Sequence, residues 1–271
     1  MPELPEVETI TRSLRPSLIG RTIVDVHNDW PRHIAQPDFP EFRQRIISLN
    51  FKSITRRGKY IVFHLSGDET LIIHLKMSGQ LSIAKAGETA DKHVHTVFGL
   101  SDGHELWFQD TRKFGRVYLV TDPDDVLGSL GPEPLSDAFT SEWLFEQLIS
   151  RNRVLKPLLL DQSFIAGIGN IYADEALFHA RLHPQRRSNS LSLPEVHVLH
   201  TAIRQVLEMG IDRGGASIDA AYRKPDGTMG QMQNSFLVYG RAGERCTRCE
   251  GIVHKMQLGG RGTHFCFGCQ I

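Results

Sequence analysis

Four cysteines constrain this chain more than any other feature. All of them lie in the last 26 of its 271 residues, spaced Cys246-x-x-Cys249, sixteen residues, then Cys266-x-x-Cys269. Two Cys-x-x-Cys turns can each present two thiolates to one tetrahedral ion, and four thiolates leave no position open for catalysis. One structural Zn2+ is therefore expected. A pair of disulfides is the alternative, but the long cysteine-free remainder and the lack of an apolar leader argue against a secreted scaffold. Between the two turns, Ile252–Leu258 and Thr263–Phe265 flank Gly259-Gly260-Arg261-Gly262. This pattern predicts a β-hairpin with an arginine at its tip. That arginine is either solvated or placed to meet a phosphate or a base edge.

The charge balance is informative only when the chain is divided. The formal net charge is zero, which alone would weigh against a nucleic-acid partner. Residues 1–150 hold 16 Lys+Arg against 21 Asp+Glu, and residues 151–271 hold 15 against 10, so the C-terminal part carries +5. No apolar run reaches the ~18 residues a membrane span needs, and the expectation is a cytoplasmic protein.

Apolar residues at Val7, Ile10, Leu14 and Leu18 predict a helix over Pro5–Leu18, closed by Pro16 and Gly20. Strands are expected at Thr22–Val26, Tyr60–Leu65, Thr70–Leu75, Glu105–Phe108 and Arg116–Val120, with turn residues between them, as in an antiparallel sandwich. Thr121–Asp137 holds three prolines, two glycines and four aspartates and reads as a linker. Helical periodicity follows at Ser141–Ile149, Leu155–Asp161, Asn170–Leu182 and Leu193–Met209. Ser192 and Glu195 form a capping box for the last of these, and Asn170 is a candidate N-cap. Residues 214–235 are Gly-rich and weakly periodic, as expected of a mobile loop.

The chain opens Met1-Pro2-Glu3-Leu4-Pro5-Glu6-Val7-Glu8. Read plainly, this is a good helix start, with proline in the first turn and acids at the positive end of the dipole. Once Met1 is removed, however, Pro2 offers a secondary amine that is also the chain's α-amino group, a position whose ordinary pKa is near ~8 rather than the ~10.4 of lysine. Such an amine attacking a sugar carbon forms an iminium, an electron sink for later bond breaking.

Eight blocks in order resemble the formamidopyrimidine-DNA glycosylase family, which also includes endonuclease VIII. They are Pro2–Thr9, Arg57-Gly58-Lys59-Tyr60, His74-Leu75-Lys76-Met77-Ser78-Gly79, Asp110-Thr111-Arg112-Lys113-Phe114-Gly115, Leu130-Gly131-Pro132-Glu133-Pro134-Leu135, Gly167-Ile168-Gly169-Asn170-Ile171-Tyr172, Val238-Tyr239-Gly240-Arg241 and the cysteine module. The resemblance implies an α+β protein. An N-terminal β-sandwich with flanking helices would occupy 1–121, followed by a linker over 122–137. A helix–two-turn–helix domain would run over 138–240 with a lesion-capping loop at 217–234, and a zinc finger over 241–271.

The implied partner is damaged double-stranded DNA, met by a nucleoid-associated monomer with no membrane role. The implied activity is base-excision DNA glycosylase and abasic-site lyase. Pro2 would be the nucleophile, Glu3 the acid that opens the sugar, Lys59 the β-elimination lysine, and Arg261 a phosphate clamp linked to δ-elimination. Met77, Arg112 and Phe114 would fill the hole left by the flipped base. His93, Arg151, Lys156 and Asn170 would contact phosphates. Arg112 with Phe114 points to oxidised purines. Lys76 replaces the small residue some members carry beside the methionine, and Ser78 follows it. Two rivals remain: an endonuclease VIII-like enzyme for oxidised pyrimidines, and a non-catalytic zinc DNA-binding protein.

Overall fold

The computed structural model describes residues 1–218 and 222–271, and these form two compact units. Unit 1 comprises Met1–Ser129 with Arg213–Gln231; unit 2 comprises Leu130–Asp212 with Met232–Ile271. The packing thus groups 213–231 with the N-terminal residues, although this stretch follows the long C-terminal helix in sequence. Among the described residues, no helix is long and apolar enough to cross a membrane.

Unit 1 starts with helix α1 (Leu4–Leu18). Its N-cap is Glu3, whose carboxylate accepts from the Glu6 N–H while the Glu6 carboxylate accepts from the Glu3 N–H at 2.8 Å. This reciprocal box satisfies two otherwise orphaned donors. The helix runs through Pro16 to Leu18, the expected limit. Proline in the final turn removes a single backbone bond, and the Ile19 N–H still reaches Arg15 O at 3.1 Å. Val7, Ile10, Leu14 and Leu18 are at most 1% exposed and pack toward the sheet. Truncating one such side chain to alanine typically costs ~2–5 kcal/mol.

Two sheets enclose that core. One runs β1 (Ile23–Asn28), β7 (Val94–Leu100), β8 (His104–Asp110), β6 (Gly79–Lys85), all antiparallel. The other runs β2 (Ile34–Gln36), β9 (Arg116–Val120), β5 (Thr70–His74), β4 (Tyr60–Leu65), β3 (Phe51–Arg57). Its β2–β9 edge is parallel, a departure from the all-antiparallel expectation. Helix α2 (Phe39–Ile46) packs on β1 and β2. Tyr222 joins the same core at 4% exposure, and its hydroxyl donates to Gly214 O at 3.1 Å. The Gly230 N–H donates to Ser217 Oγ at 2.8 Å. Of the stretch 214–235, read from sequence as a mobile loop, the described part up to Gln231 is therefore tied into unit 1 by side chains. Residues 219–221 of the expected 217–234 capping loop lie outside the described residues.

A short helix α3 (Asp124–Leu127) interrupts the expected linker. Unit 2 then carries α4 (Ser141–Ile149), α5 (Leu155–Leu159), α6 (Asn170–His179) and α7 (Leu193–Asp212). Of the expected Ser192–Glu195 capping box one half is seen, with Glu195 Oε2 accepting from the Ser192 N–H at 2.8 Å. Between α5 and α6, Gln162 pins the turn by accepting from the Gly167 N–H at 2.9 Å and donating to Ile168 O at 2.9 Å. Helices α6 and α7 meet so closely that a Cβ at Gly210 would lie 2.6 Å from the Tyr172 hydroxyl. The hairpin β10 (His254–Leu258) and β11 (Arg261–Phe265) completes the unit. Its turn residues Gly259 and Gly260 have φ +57° and +73°, the two positive values that a tight hairpin turn requires.

Candidate functional site

The residues singled out by sequence fall into both units. Pro2, Glu3, Lys59, Met77, His93, Arg112 and Phe114 belong to unit 1, and Arg151, Lys156, Asn170, Arg261 and the four cysteines to unit 2.

In unit 1, Pro2 and Glu3 are buried at the N-terminal end of α1, while Met1 is 47% exposed. Glu6 is buried at 2% and does more than cap the helix. Its Oε1 accepts from the Ala216 N–H at 2.7 Å, so one carboxylate ties segment 213–231 to the start of α1. Lys59 is 5% exposed in the β3–β4 turn, where Gly58 has φ +55°. This turn is linked to α1 by a charged relay. Arg56 Nε donates to Glu8 Oε2 at 3.0 Å, and Arg56 Nη1 donates to Gly58 O at 3.1 Å. Burial alone would raise the Glu8 carboxyl, but the Arg12 and Arg56 guanidinium groups hold it below its usual range. A lysine on a turn so fixed to α1 belongs to the same framework as Pro2 and Glu3.

Two further turns of unit 1 expose apolar side chains. Met77 is 39% exposed on the β5–β6 turn, and Phe114 is 47% exposed on the β8–β9 turn. Single exposed hydrophobics are ordinary, but here the Arg112 guanidinium also sits 5.0 Å from the Phe114 ring centroid. Beneath both turns lies Asp110, fully buried. Its Oδ1 accepts from Ser78 Oγ at 2.5 Å and from the Arg112 N–H at 3.2 Å, and its Oδ2 accepts from the Gly115 N–H at 2.7 Å. Burial would raise this carboxyl, but those donors together with nearby His33 hold it well below the usual carboxylate range. His74 supports the Met77 turn, accepting the Lys76 N–H on Nδ1 at 2.9 Å. Burial, then the charges of Lys76 and Lys59, push His74 down to about 3, so it is neutral at physiological pH. His93 is partly exposed, with its ring 6.4 Å from that of buried His95.

In unit 2, Arg261 is exposed at the start of β11, opposite Leu258. Lys156, expected as a phosphate contact, lies in the interior of unit 2. It is fully buried, and its ammonium meets Asp174 Oδ1 at 2.7 Å, Thr263 Oγ1 at 2.8 Å and Gly262 O at 3.0 Å. Asp174 Oδ2 in turn accepts from the His264 N–H at 2.9 Å. Lys156 therefore ties the hairpin to the helices. Asn170 is not the N-cap of α6; that position is Gly169. The Asn170 side chain donates to Gly262 O at 3.0 Å, a second tie to the hairpin. Arg151 is half-buried over the Phe164 ring at 5.4 Å, with Nη1 held by Gln147 O at 2.7 Å.

The four cysteine Sγ atoms lie within 4.8 Å of one another, with Cys246–Cys269 at 3.7 Å and Cys249–Cys266 at 3.6 Å. Four thiolates at ~2.3 Å from a tetrahedral ion stand about 3.8 Å apart. The set is thus positioned to bind a metal ion, and the donor chemistry fits zinc. It is anchored by the Arg248 guanidinium, 4.4 Å from the Phe178 ring centroid.

Sequence reasoning missed the buried carboxylates that organise these features. Glu175 on α6, 1% exposed, accepts the N–H groups of Leu237, Val238 and Tyr239 at 2.9, 3.0 and 2.8 Å. Burial raises its carboxyl. The available signal was Asp174-Glu175 inside an otherwise apolar helix, since adjacent acids there must find donors.

Residues 1–117 match the formamidopyrimidine-DNA glycosylase N-terminal domain, and residues 130–221 match the H2TH domain of the same family. The chain is 42% identical to the Bacillus subtilis formamidopyrimidine-DNA glycosylase over 100% of its own length and 99% of the relative's. It is 44% identical to the Halalkalibacterium halodurans protein of that name, with full coverage of both. It superimposes on the Lactococcus lactis Fpg solved with abasic-site DNA at a TM-score of 0.92, 37% identity and 99% coverage of each chain. A MutM structure with carbocyclic 8-oxo-G DNA matches at 0.91, 37% identity and 99% of each chain.

Proposed function

The chain belongs to the formamidopyrimidine-DNA glycosylase family and is a DNA glycosylase of base excision repair; on that premise we propose that it excises oxidised purines, formamidopyrimidines and 8-oxoguanine, from damaged duplex DNA and then cuts the strand as an abasic-site lyase. The observation that carries this reading is the start of α1. There Pro2 precedes a buried Glu3 whose backbone is fixed by Glu6. Such an arrangement holds an amine and an acid in set places before substrate arrives, which is where proximity effects originate.

The damaged nucleotide is taken out of the stack, because the reacting C1′ is inaccessible inside the duplex. With Met1 removed, the Pro2 nitrogen attacks C1′, the C1′–N bond to the base breaks, and the leaving base takes up a proton. Glu3 protonates the ring oxygen, opening the sugar to an iminium between Pro2 and C1′. That cation acidifies C2′, and with Lys59 beside it a C2′ proton is lost and the 3′-phosphate leaves. A second elimination expels the 5′-phosphate, and water then frees Pro2. Arg261 clamps phosphate as a permanent charge, since a guanidinium is a poor proton donor. Met77 and Phe114 fill the vacated stack, Arg112 pairs with the orphaned base, and His93 and Arg151 contact phosphates. The four cysteines hold one structural zinc; when bound, it cross-links the two knuckles and contributes no chemistry to the steps above.

Borohydride reduction tests the nucleophile. Processed protein should be trapped covalently on 8-oxoguanine duplex, and protein retaining Met1 should not; trapping by Met1-retaining protein would refute Pro2. Glu3→Gln should slow base release while preserving duplex affinity. Faster cleavage of thymine glycol:A than of 8-oxoguanine:C would instead favour the pyrimidine-directed rival.

A further inference from the structure

We propose that Ser78 and Asp110 are positioning residues that lock the Met77 turn and the Arg112–Phe114 turn into one unit, so that wedging into the stack and reading the opposite base occur as a single coupled step. The proposal rests on the reading above, in which those turns face the vacated site.

The Met77 turn belongs to the β5–β6 connection and the Arg112–Phe114 turn to β8–β9, more than thirty residues apart in sequence. Ser78 Oγ joins them directly. It donates to Asp110 Oδ1 at 2.5 Å and accepts from the Arg112 N–H at 3.1 Å. Asp110 is fully buried and uses its second oxygen on the Gly115 N–H at 2.7 Å, closing the far end of the same turn. The remaining groups facing this carboxylate are buried His33, with Nε2 3.6 Å from Oδ2, and the Phe108 ring stacked on His33 at 4.9 Å. None of these groups reaches outward, so the buried charge serves the turns.

The backbone carries the strain expected of an imposed arrangement. Lys76, just before Met77, has φ +53°, and Lys113, between Arg112 and Phe114, has φ +60°. Residues other than glycine hold such angles when their surroundings over-determine them. Here the Lys76 N–H is fixed by His74 Nδ1 at 2.9 Å, and the Lys113 N–H by Asp110 O at 3.2 Å. The Lys113 ammonium also sits 4.2 Å from the Trp30 ring centroid. Gly79 and Gly115, the closing residues of the two turns, both press on Phe108; a Cβ at Gly79 would fall 2.8 Å from its ring. The two turns therefore share one floor as well as one hydrogen-bonded bridge.

Ser78→Ala cuts the bridge while leaving the Arg112 N–H its bond to Asp110, and Ser78→Thr restores the hydroxyl. Asp110→Asn turns one acceptor into a donor facing a backbone N–H. The full-length protein with Met1 removed would be assayed on 8-oxoguanine duplexes with cytosine or adenine opposite the lesion. Charge-assisted bonds of this kind are worth about tenfold or more. The kcat/KM preference for cytosine should fall about tenfold in Ser78→Ala and Asp110→Asn and return in Ser78→Thr. In the DNA-free protein, exchange of the Arg112 amide should quicken about tenfold in Ser78→Ala, although the substitution lies on the other turn. A folded Ser78→Ala with unchanged preference and unchanged Arg112 exchange would overturn the proposal, as would a Ser78→Thr as impaired as the alanine variant. Absence of lesion cleavage by the unmodified chain would overturn the activity reading instead, and the exchange measurement would still judge the lock.

Discussion

Replacing Lys156 by alanine separates two roles that the same residue could play. As a phosphate contact, Lys156 would matter only with DNA present; as the buried partner of Asp174, it matters to the fold itself. Both Lys156 and Asp174 side chains are fully buried, 2.7 Å apart. Removing one member of such a pair strands the other charge and typically costs ~3–5 kcal/mol. Asp174 keeps the His264 N–H at 2.9 Å, so the lower end, about 3 kcal/mol, is expected. For a chain of this size each kcal/mol shifts the melting temperature by roughly 2–4 °C, giving a drop of about 6–12 °C. Lys156→Met with Asp174→Asn should recover more than half of that, because no buried charge is then left alone. Affinity for abasic-site DNA at 25 °C should fall with an unchanged salt dependence, whereas losing a phosphate contact would lower the slope of log K against log salt by about 0.9. A variant that melts like the parent chain but shows the reduced slope would refute the buried-tie reasoning.

The remaining expectations concern titration and metal. His74 is held near 3 by burial and by the charges of Lys76 and Lys59, against ~6.5 in an unfolded chain. The unfolded chain thus takes up a proton below pH ~6.5 that the folded chain refuses, so stability is full above that pH and drains away as pH falls toward 3, by up to ~1.4 kcal/mol per unit. His74→Gln should flatten the melting temperature between pH 6 and pH 4, and an unaltered slope would rule out His74 as the cause. Removing the metal from the four cysteines should expose the β10–β11 amides to exchange and weaken DNA binding while leaving the β3–β4–β5 amides protected; loss of protection in both units would show that the metal stabilises more than its own finger.

Much of the fold was legible because it follows simple periods. The stripe Val7, Ile10, Leu14, Leu18 gave α1, and apolar runs bounded by turn residues gave β4 and β9 with matching limits. What escaped depends on partners distant in sequence. The strands β3, β6 and β7 carry mixed faces whose burial is decided by neighbours across the sheet. Segment 213–231 joins the sandwich through Glu6 and Tyr222, a pairing across some two hundred residues that no local pattern announces.

The same contrast explains which site residues could be read. Cysteine spacing is local, so the metal set was visible at once. Carboxylates were harder, because Glu3, Glu6 and Glu8 look alike in a first turn and differ only in what they face. Glu6 accepts the N–H groups of Glu3 and Ala216, and Glu8 takes the guanidinium groups of Arg12 and Arg56. Asp110, Asp174 and Glu175 likewise spend buried oxygens on backbone N–H groups of turns and of the hairpin. A buried carboxylate so satisfied fixes a loop without the entropy of a mobile connection, and it holds that geometry before any substrate binds. The recurrence of this device in both units implies that the loops are shaped by acids behind them, which a motif search records merely as conserved-looking neighbours of the residues in front.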